Sequence, residues 1–203
     1  MTRSQTANAL SSSRFVLSPI FVVLFVLART HANAALWLLI GALVVFALIE
    51  ISDVLDGMVA RSSNTVSDIG KILDPFADVV SKATYFTCLL TVEIVPLWFF
   101  LIFLYREFGI ILVRLILIST GTALAARSLG KIKTWFYGLS ALVGFSIYAL
   151  RILGSSRGWS FPWLDSSWLS IGYSVLLIIT ALLAVGSFSE YLVLFARQRK
   201  KSS

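Results

Sequence analysis

Charge is what this sequence has least of. Only 13% of its 203 residues are Asp, Glu, Lys or Arg, while 58% are hydrophobic. A soluble domain of this length carries roughly a quarter charged residues. The shortage excludes an ordinary water-soluble globule and places the chain in the membrane class. Cysteine is nearly absent. Cys88 is the sole thiol, so no internal disulfide forms and no oxidising compartment is implied. Its apolar neighbours mark it as a small core residue. Histidine is as scarce, and His31 falls in an expected outer loop with no visible partner. Internal repeats and low-complexity tracts are missing too, so residues 1–203 read as one membrane domain.

What charge there is sums to +7. A nucleic-acid binder would set its basic residues on a polar soluble face. Here they flank apolar runs, which points to anionic lipid and topology control and excludes nucleic acid as partner. The apolar runs number six, at about 14–29, 34–60, 73–94, 96–119, 134–153 and 168–196. Each approaches or exceeds the roughly 20 residues that cross a bilayer as a helix, and an open strand in lipid would leave its backbone unpaired. The expected fold is therefore all-α, a bundle of six transmembrane helices. The polar "TRSQTANALSSSR" before the first run is expected to lie along the membrane surface as an interfacial segment.

With the N-terminus in the cytoplasm, most of the Lys and Arg residues fall inside, from Arg3 and Arg14 to the tail Arg197–Lys201. Only Arg29, Arg151 and Arg157 then lie near the outer side, where "WSFPWLDSSW" at 159–168 supplies an interfacial aromatic belt. A rival reading takes Arg3, the first apolar run and "ANA" at 32–34 as a cleavable signal peptide.

Against this background the stretch "DVLDGMVAR", which begins at Asp53, is out of place. Asp53, Asp56, Gly57 and Ala60 recur at i, i+3, i+4 and i+7, one face of a helix. Asp74 and Asp78 recur at i, i+4, and Pro75 suits the first turn of a new helix. Two helices thus meet near a short cytoplasmic loop, each presenting a carboxylate pair. Clustered carboxylates repel one another and are costly to desolvate. Arg61 and Lys71 offset them in part. Divalent cations do so better, and hard oxygen ligands favour Mg²⁺, Mn²⁺ or Ca²⁺. A pair of such ions suits phosphoryl transfer. Intramembrane carboxylates also mark ion pathways, so a cation or proton transporter is the alternative from another class. Gly57 and Ala60 leave room against their helix; taken alone, they fit ordinary helix packing better.

The full pattern, D-x-x-D-G-x-x-A-R-x8-G-x3-D-x3-D from Asp53 to Asp78, resembles that of the CDP-alcohol phosphotransferases at every fixed position. "NALSSSRFVLSP" at 8–19, "REFGIILVR" at 106–114 and "GKIKT" at 130–134 extend the likeness toward the branch that makes phosphatidylglycerol phosphate. The resemblance implies transfer of a phosphatidyl group from CDP-diacylglycerol to an alcohol, with release of CMP. It implies Asp53, Asp56, Asp74 and Asp78 as ligands of two Mg²⁺ or Mn²⁺ ions, and Asp78 also as the catalytic base. Gly57 and Ala60 lie beneath the nucleotide, Arg61 meets phosphate, and Asn8 and Gly70 complete the donor-binding set. A homodimer in the bacterial inner membrane, its active site facing the cytoplasm, is expected on the same ground.

Glycerol 3-phosphate is the expected acceptor; inositol phosphate, serine and choline are the alternatives. A phosphate-bearing acceptor needs cations, and Arg114, Arg106, Lys133 and Lys131 are the candidates. Arg106 has a simpler reading as the partner of Glu107, and Glu50, one turn before Asp53, either supports the site or faces a neighbouring helix. Two departures bear on the acceptor. Val79 follows the last aspartate where that branch often has Lys, and "WFYG" follows Thr134 where Gln is expected.

Overall fold

The computed structural model describes the backbone of residues 3–62, 70–119 and 128–202, and the side chains of 12–55, 75–117, 132–193 and 195–196. Six helices account for nearly all of it. They are α1 Arg3–Thr30, α2 Ala35–Ser62, α3 Gly70–Thr91, α4 Leu97–Ser119, α5 Ser128–Arg157 and α6 Ser167–Ser202. A short 3₁₀ turn, Ala32–Ala34, joins α1 to α2, and another, Pro162–Asp165, leads into α6. The all-α expectation holds.

Three details differ from it. Among the described residues only four stretches are long and apolar enough to cross a membrane: Ser12–Thr30, Ala32–Leu55, Ile132–Arg157 and Ser167–Val193. Helix α4 is of spanning length but carries Arg106, Glu107 and Arg114 within its apolar run, and the side chains of α3 are described only from Pro75 to Thr91, short of a full span. The segment before residue 14 is not a separate interfacial element, because α1 runs unbroken from Arg3 through Pro19. And α3 begins at Gly70, which moves Pro75 out of the first turn and leaves the Lys71 carbonyl without its helical donor.

Helix α3 is central. It packs on α1, α4 and α5, while α6 closes the bundle against α4 and α5. Aromatic rings fill the middle in two groups. Phe21, Phe25, Phe46, Tyr85, Phe145 and Tyr148 join α1, α2, α3 and α5, with Phe25 stacked on Tyr148 at 4.0 Å. Phe86, Phe99, Phe103 and Tyr137 join α3, α4 and α5 through edge contacts at 5.1–6.0 Å. Several polar side chains inside the bundle meet each other or backbone. Tyr148 donates to the Phe25 carbonyl at 2.9 Å, and the Ser140 and Thr180 hydroxyls meet at 3.0 Å. With lipid as apolar as the core, such packing and hydrogen bonding hold helices together where the hydrophobic effect does not. Outward, the surface is apolar and rich in indole: Trp37, Trp135 and Trp168 are each more than 70% exposed, as a lipid-facing belt requires.

The turns at the end opposite Asp53 are tightly made. After α3, Glu93 takes a left-handed φ of 58°. The Ile94 N–H donates to the Leu89 carbonyl at 3.0 Å and the Glu93 N–H to the Leu90 carbonyl at 3.1 Å, a Schellman closure usually assigned to glycine. Gly158, with φ 67°, ends α5 without strain. "ANA" forms the α1–α2 turn, and Phe21 and Phe25 of α1 sit in the aromatic core, so the first span is part of the bundle.

Close approach of three helices rests on Gly144. A Cβ there would stand 2.5 Å from the Tyr173 hydroxyl of α6 and 2.8 Å from Leu89 Cδ1 of α3. Gly144→Val is expected to destabilise the protein by about 1–3 kcal/mol, read as a melting temperature lower by several degrees in detergent. Gly172→Ala and Gly186→Ala meet nothing within 4 Å and are expected to leave it level or slightly raised. Equal melting of all three variants would show that the α3–α5–α6 contact is not close-packed.

Candidate active site

The aspartate-bearing ends of α2 and α3 come together as the spacing predicts. Asp53 projects from α2 and Asp78 from α3, within electrostatic reach of each other. Each is held by a buried cation. Arg14 of α1, 1% exposed, donates from Nη1 to Asp53 Oδ1 at 2.8 Å. Lys82, one turn along α3, donates to Asp78 Oδ1. The Ser18 hydroxyl donates to Ser81 at 3.3 Å and pins α1 to α3 beside these pairs. Glu50 adds a third carboxylate. It lies within reach of Lys82, Asp78, Asp53 and Arg14, and its Oε2 sits 3.2 Å from where a Cβ on Gly138 would stand, so it reaches across to α5. Both readings of Glu50 are met: it stands among the charges of the site and faces a neighbouring helix, α5. Below them the Tyr85 hydroxyl is buried without a hydrogen-bond partner among the described residues.

Asp56 and Asp74 lie on the same two helices, one turn from Asp53 and from Asp78. Their side chains, and those of Asn8, Gly57, Ala60, Arg61, Gly70 and Lys131, fall outside the described set, so no group of three metal-ligating side chains is found among the described residues. What is described fits a divalent cation. The donors are hard carboxylate oxygens on opposed helices, and one oxygen of each aspartate is left without a hydrogen bond from the described residues.

A second charged cluster stands next to the first. Glu107 of α4 accepts from Arg106 Nη1 at 2.8 Å and from Lys133 of α5. All three are buried. Arg106 also donates from Nη2 to Ser187 Oγ at 2.7 Å and from Nε to the Ala184 carbonyl at 3.4 Å, both on α6. Lys133 Nζ lies 5.0 Å over the Tyr137 ring and within electrostatic reach of Asp78, which joins the two clusters. Two cations share one carboxylate, so the cluster carries surplus positive charge. Arg114, two turns along α4, stands apart and donates to the Tyr191 hydroxyl at 3.4 Å.

The four candidate acceptor cations thus divide. Arg106 has the Glu107 partner foreseen for it, Lys133 shares that partner, and Arg114 faces α6. Sequence reading gave no role to Lys82, Ser187 or Tyr191, and placed Arg14 at the inner interface and within a family-like segment without a partner. For Lys82 a signal existed: it stands four residues after Asp78, the spacing of an ion pair on one helix face. The two α6 partners are 81 and 77 residues away in sequence from the arginines they serve, and no local pattern marks them.

The sequence pattern of the CDP-alcohol phosphatidyltransferase family matches residues 4–185. Among similar curated proteins are three named "CDP-diacylglycerol--glycerol-3-phosphate 3-phosphatidyltransferase". The Treponema pallidum protein is 34% identical over 167 residues, 81% of this chain and 74% of that one. The Bacillus subtilis protein is 31% identical over 176 residues, 83% and 88% of the two chains. The Aquifex aeolicus protein is 32% identical over 189 residues, 91% and 92% of the two. The opposed aspartates in an apolar helical bundle and a match across most of its length lead to one assignment: the chain is a membrane transferase of phospholipid biosynthesis and belongs to the CDP-alcohol phosphatidyltransferase family.

Proposed function

We propose that the protein transfers the phosphatidyl group of CDP-diacylglycerol to glycerol 3-phosphate, giving phosphatidylglycerol phosphate and CMP. The observation that carries the acceptor assignment is the surplus positive charge of the Arg106–Glu107–Lys133 cluster beside Asp78. An acceptor dianion needs such charge near the reacting carboxylates, and an uncharged alcohol does not. The names of the similar bacterial proteins agree with this choice.

In this reading Asp53, Asp56, Asp74 and Asp78 hold two Mg²⁺ or Mn²⁺ ions, which when bound supply charge stabilisation to the donor diphosphate. The acceptor hydroxyl oxygen bonds to the lipid-linked phosphorus, the bond from that phosphorus to the CMP oxygen breaks, and Asp78 takes the hydroxyl proton. Lys82 on Oδ1 leaves Oδ2 of Asp78 as the oxygen for that proton. Gly57, Ala60, Arg61, Gly70 and Asn8 line the donor. Arg114 and Lys131 extend the acceptor side toward the cytoplasm. All six helices cross the membrane, the two charged ones screened by the others, in a homodimer of the bacterial inner membrane.

Purified protein given CDP-diacylglycerol and a panel of glycerol 3-phosphate, inositol phosphate, serine and choline is expected to release CMP with glycerol 3-phosphate alone. Excess chelator is expected to abolish release, and Mg²⁺ or Mn²⁺ to restore it. Turnover of an uncharged acceptor in preference overturns the acceptor assignment, and full turnover in chelator overturns the metal one.

Two substitutions separate base from binding. Asp78→Asn is expected to lower kcat by about 10²-fold or more while donor affinity changes little. Arg114→Ala is expected to raise the KM for glycerol 3-phosphate by roughly tenfold or more, with the donor KM unchanged. Near-normal turnover in the first, or an unchanged acceptor KM in the second, removes that residue from its role.

Orientation is read by fusion. Reporters joined to either end are expected to signal a cytoplasmic location, since the inner charges gather at the aspartate-bearing end. Signals from opposite sides contradict the six-span arrangement, and a periplasmic signal from both ends contradicts the orientation.

A further inference from the structure

We propose that Lys82 is a positioning residue and a built-in counter-cation. It holds the carboxylates of the site together in the metal-free protein and competes with the metal for Asp78. The inference rests on the metal reading given above and assigns to this chain's own lysine a part in that site.

Lys82 is 3% exposed, inside the bundle. A buried ammonium is tolerated only where anions and hydrogen bonds surround it. Its Nζ donates to Asp78 Oδ1, and among the described residues Glu50 and Asp53 from α2 are the other negative charges in reach. Among the described residues, the remaining charged groups facing the cluster are Arg14 from α1 and Lys133 from α5. Lys133 is already committed to Glu107. Among the described side chains Arg14 and Lys82 are therefore the cations that answer Glu50, Asp53 and Asp78. The position next to Asp78 offers no cation, since Val79 is apolar and buried. Lys82 comes from one turn deeper, where it touches Asp78 from below and has Glu50 as a second anion.

That second anion gives the device its use. When a divalent ion takes Asp78, the ammonium retains Glu50 as its partner and is not stranded. When the ion leaves, the ammonium returns to Asp78 and the carboxylates do not repel one another apart.

The test compares unaltered protein, Lys82→Met and the charge-restoring double variant Lys82→Met/Glu50→Gln, in detergent, with chelator or with Mn²⁺. Two readouts are used: thermal melting, and Mn²⁺ binding followed by the resonance of the free ion. In chelator Lys82→Met is expected to melt about 10 °C below the unaltered protein. Saturating Mn²⁺ is expected to close most of that gap, and the variant is expected to bind Mn²⁺ several-fold more tightly. The double variant is expected to recover most of the loss in chelator, because a neutral Gln removes the carboxylate that Lys82 served. It also carries the comparison if Lys82→Met does not accumulate, since recovery of a folded protein by the second change is itself the expected result. Equal melting of Lys82→Met and unaltered protein in chelator overturns the proposal. So does a double variant no more stable than the single one, which would assign the loss to packing. An unaltered protein that binds no Mn²⁺ overturns the metal reading itself, whatever the variants do in chelator.

Discussion

A charge drawn out of water into a bundle this apolar has to find its partner inside, and much of the architecture follows from that demand. Removing one member of a buried pair typically costs about 3–5 kcal/mol, a large share of the stability of any domain. The chain meets the demand twice, side by side. Arg14 and Lys82 answer the carboxylates at the junction of α1, α2 and α3, and Glu107 answers Arg106 and Lys133 at the junction of α4, α5 and α6. Opposite signs are in excess in the two clusters. Asp78 lies within reach of both.

The aromatic core makes this arrangement possible by fixing the helices beneath it. Phe21, Phe46 and Tyr85 pack within 4.7–6.5 Å of one another directly below the carboxylates. Such rings bring large buried area with little rotational freedom to lose. A side-chain pair such as Arg14 and Asp53, which spans two helices, keeps its geometry only if those helices do not slide. The hydroxyl contacts Ser18–Ser81 and Ser140–Thr180 act at the same level, each tying a helix to a neighbour that is distant in sequence.

Much of this could be read from the chain before its structure. Apolar runs bounded by charge gave six helices, because lipid permits little else; the ends of α2, α3 and α4 agree to about three residues, while α1 begins eleven residues early and α5 and α6 extend about six residues beyond their runs. The aspartate spacing put Asp53 and Asp78 on facing helices, because the helical repeat is rigid. What could not be read depends on tertiary contact. The continuity of α1 from Arg3 was hidden because "TRSQTANALSSSR" is polar, and polarity suggests a surface segment even where the backbone stays helical. Helix α3 starts early for a related reason: Gly70 and Pro75 are poor helix residues whose placement is decided by neighbours. Glu107 was visible as a partner for Arg106, yet Lys133 arrives at it from another helix, and only the fold brings it there.

The tie between Arg106 and Ser187 also sets an order of assembly. Helix α4 leaves the ribosome with Glu107 already beside Arg106, but the hydroxyl that completes the guanidinium's shell is synthesised 81 residues later, on the last helix. Until α6 is made, that part of the Arg106 shell has no partner from the chain itself. The lock on the middle of the chain is therefore complete only when the end has been made. A nascent chain halted before Ser187 would hold α4 as a helix without its lock. The final helix, which presents Ser187 and the Ala184 carbonyl to Arg106, is the piece that seats the fourth.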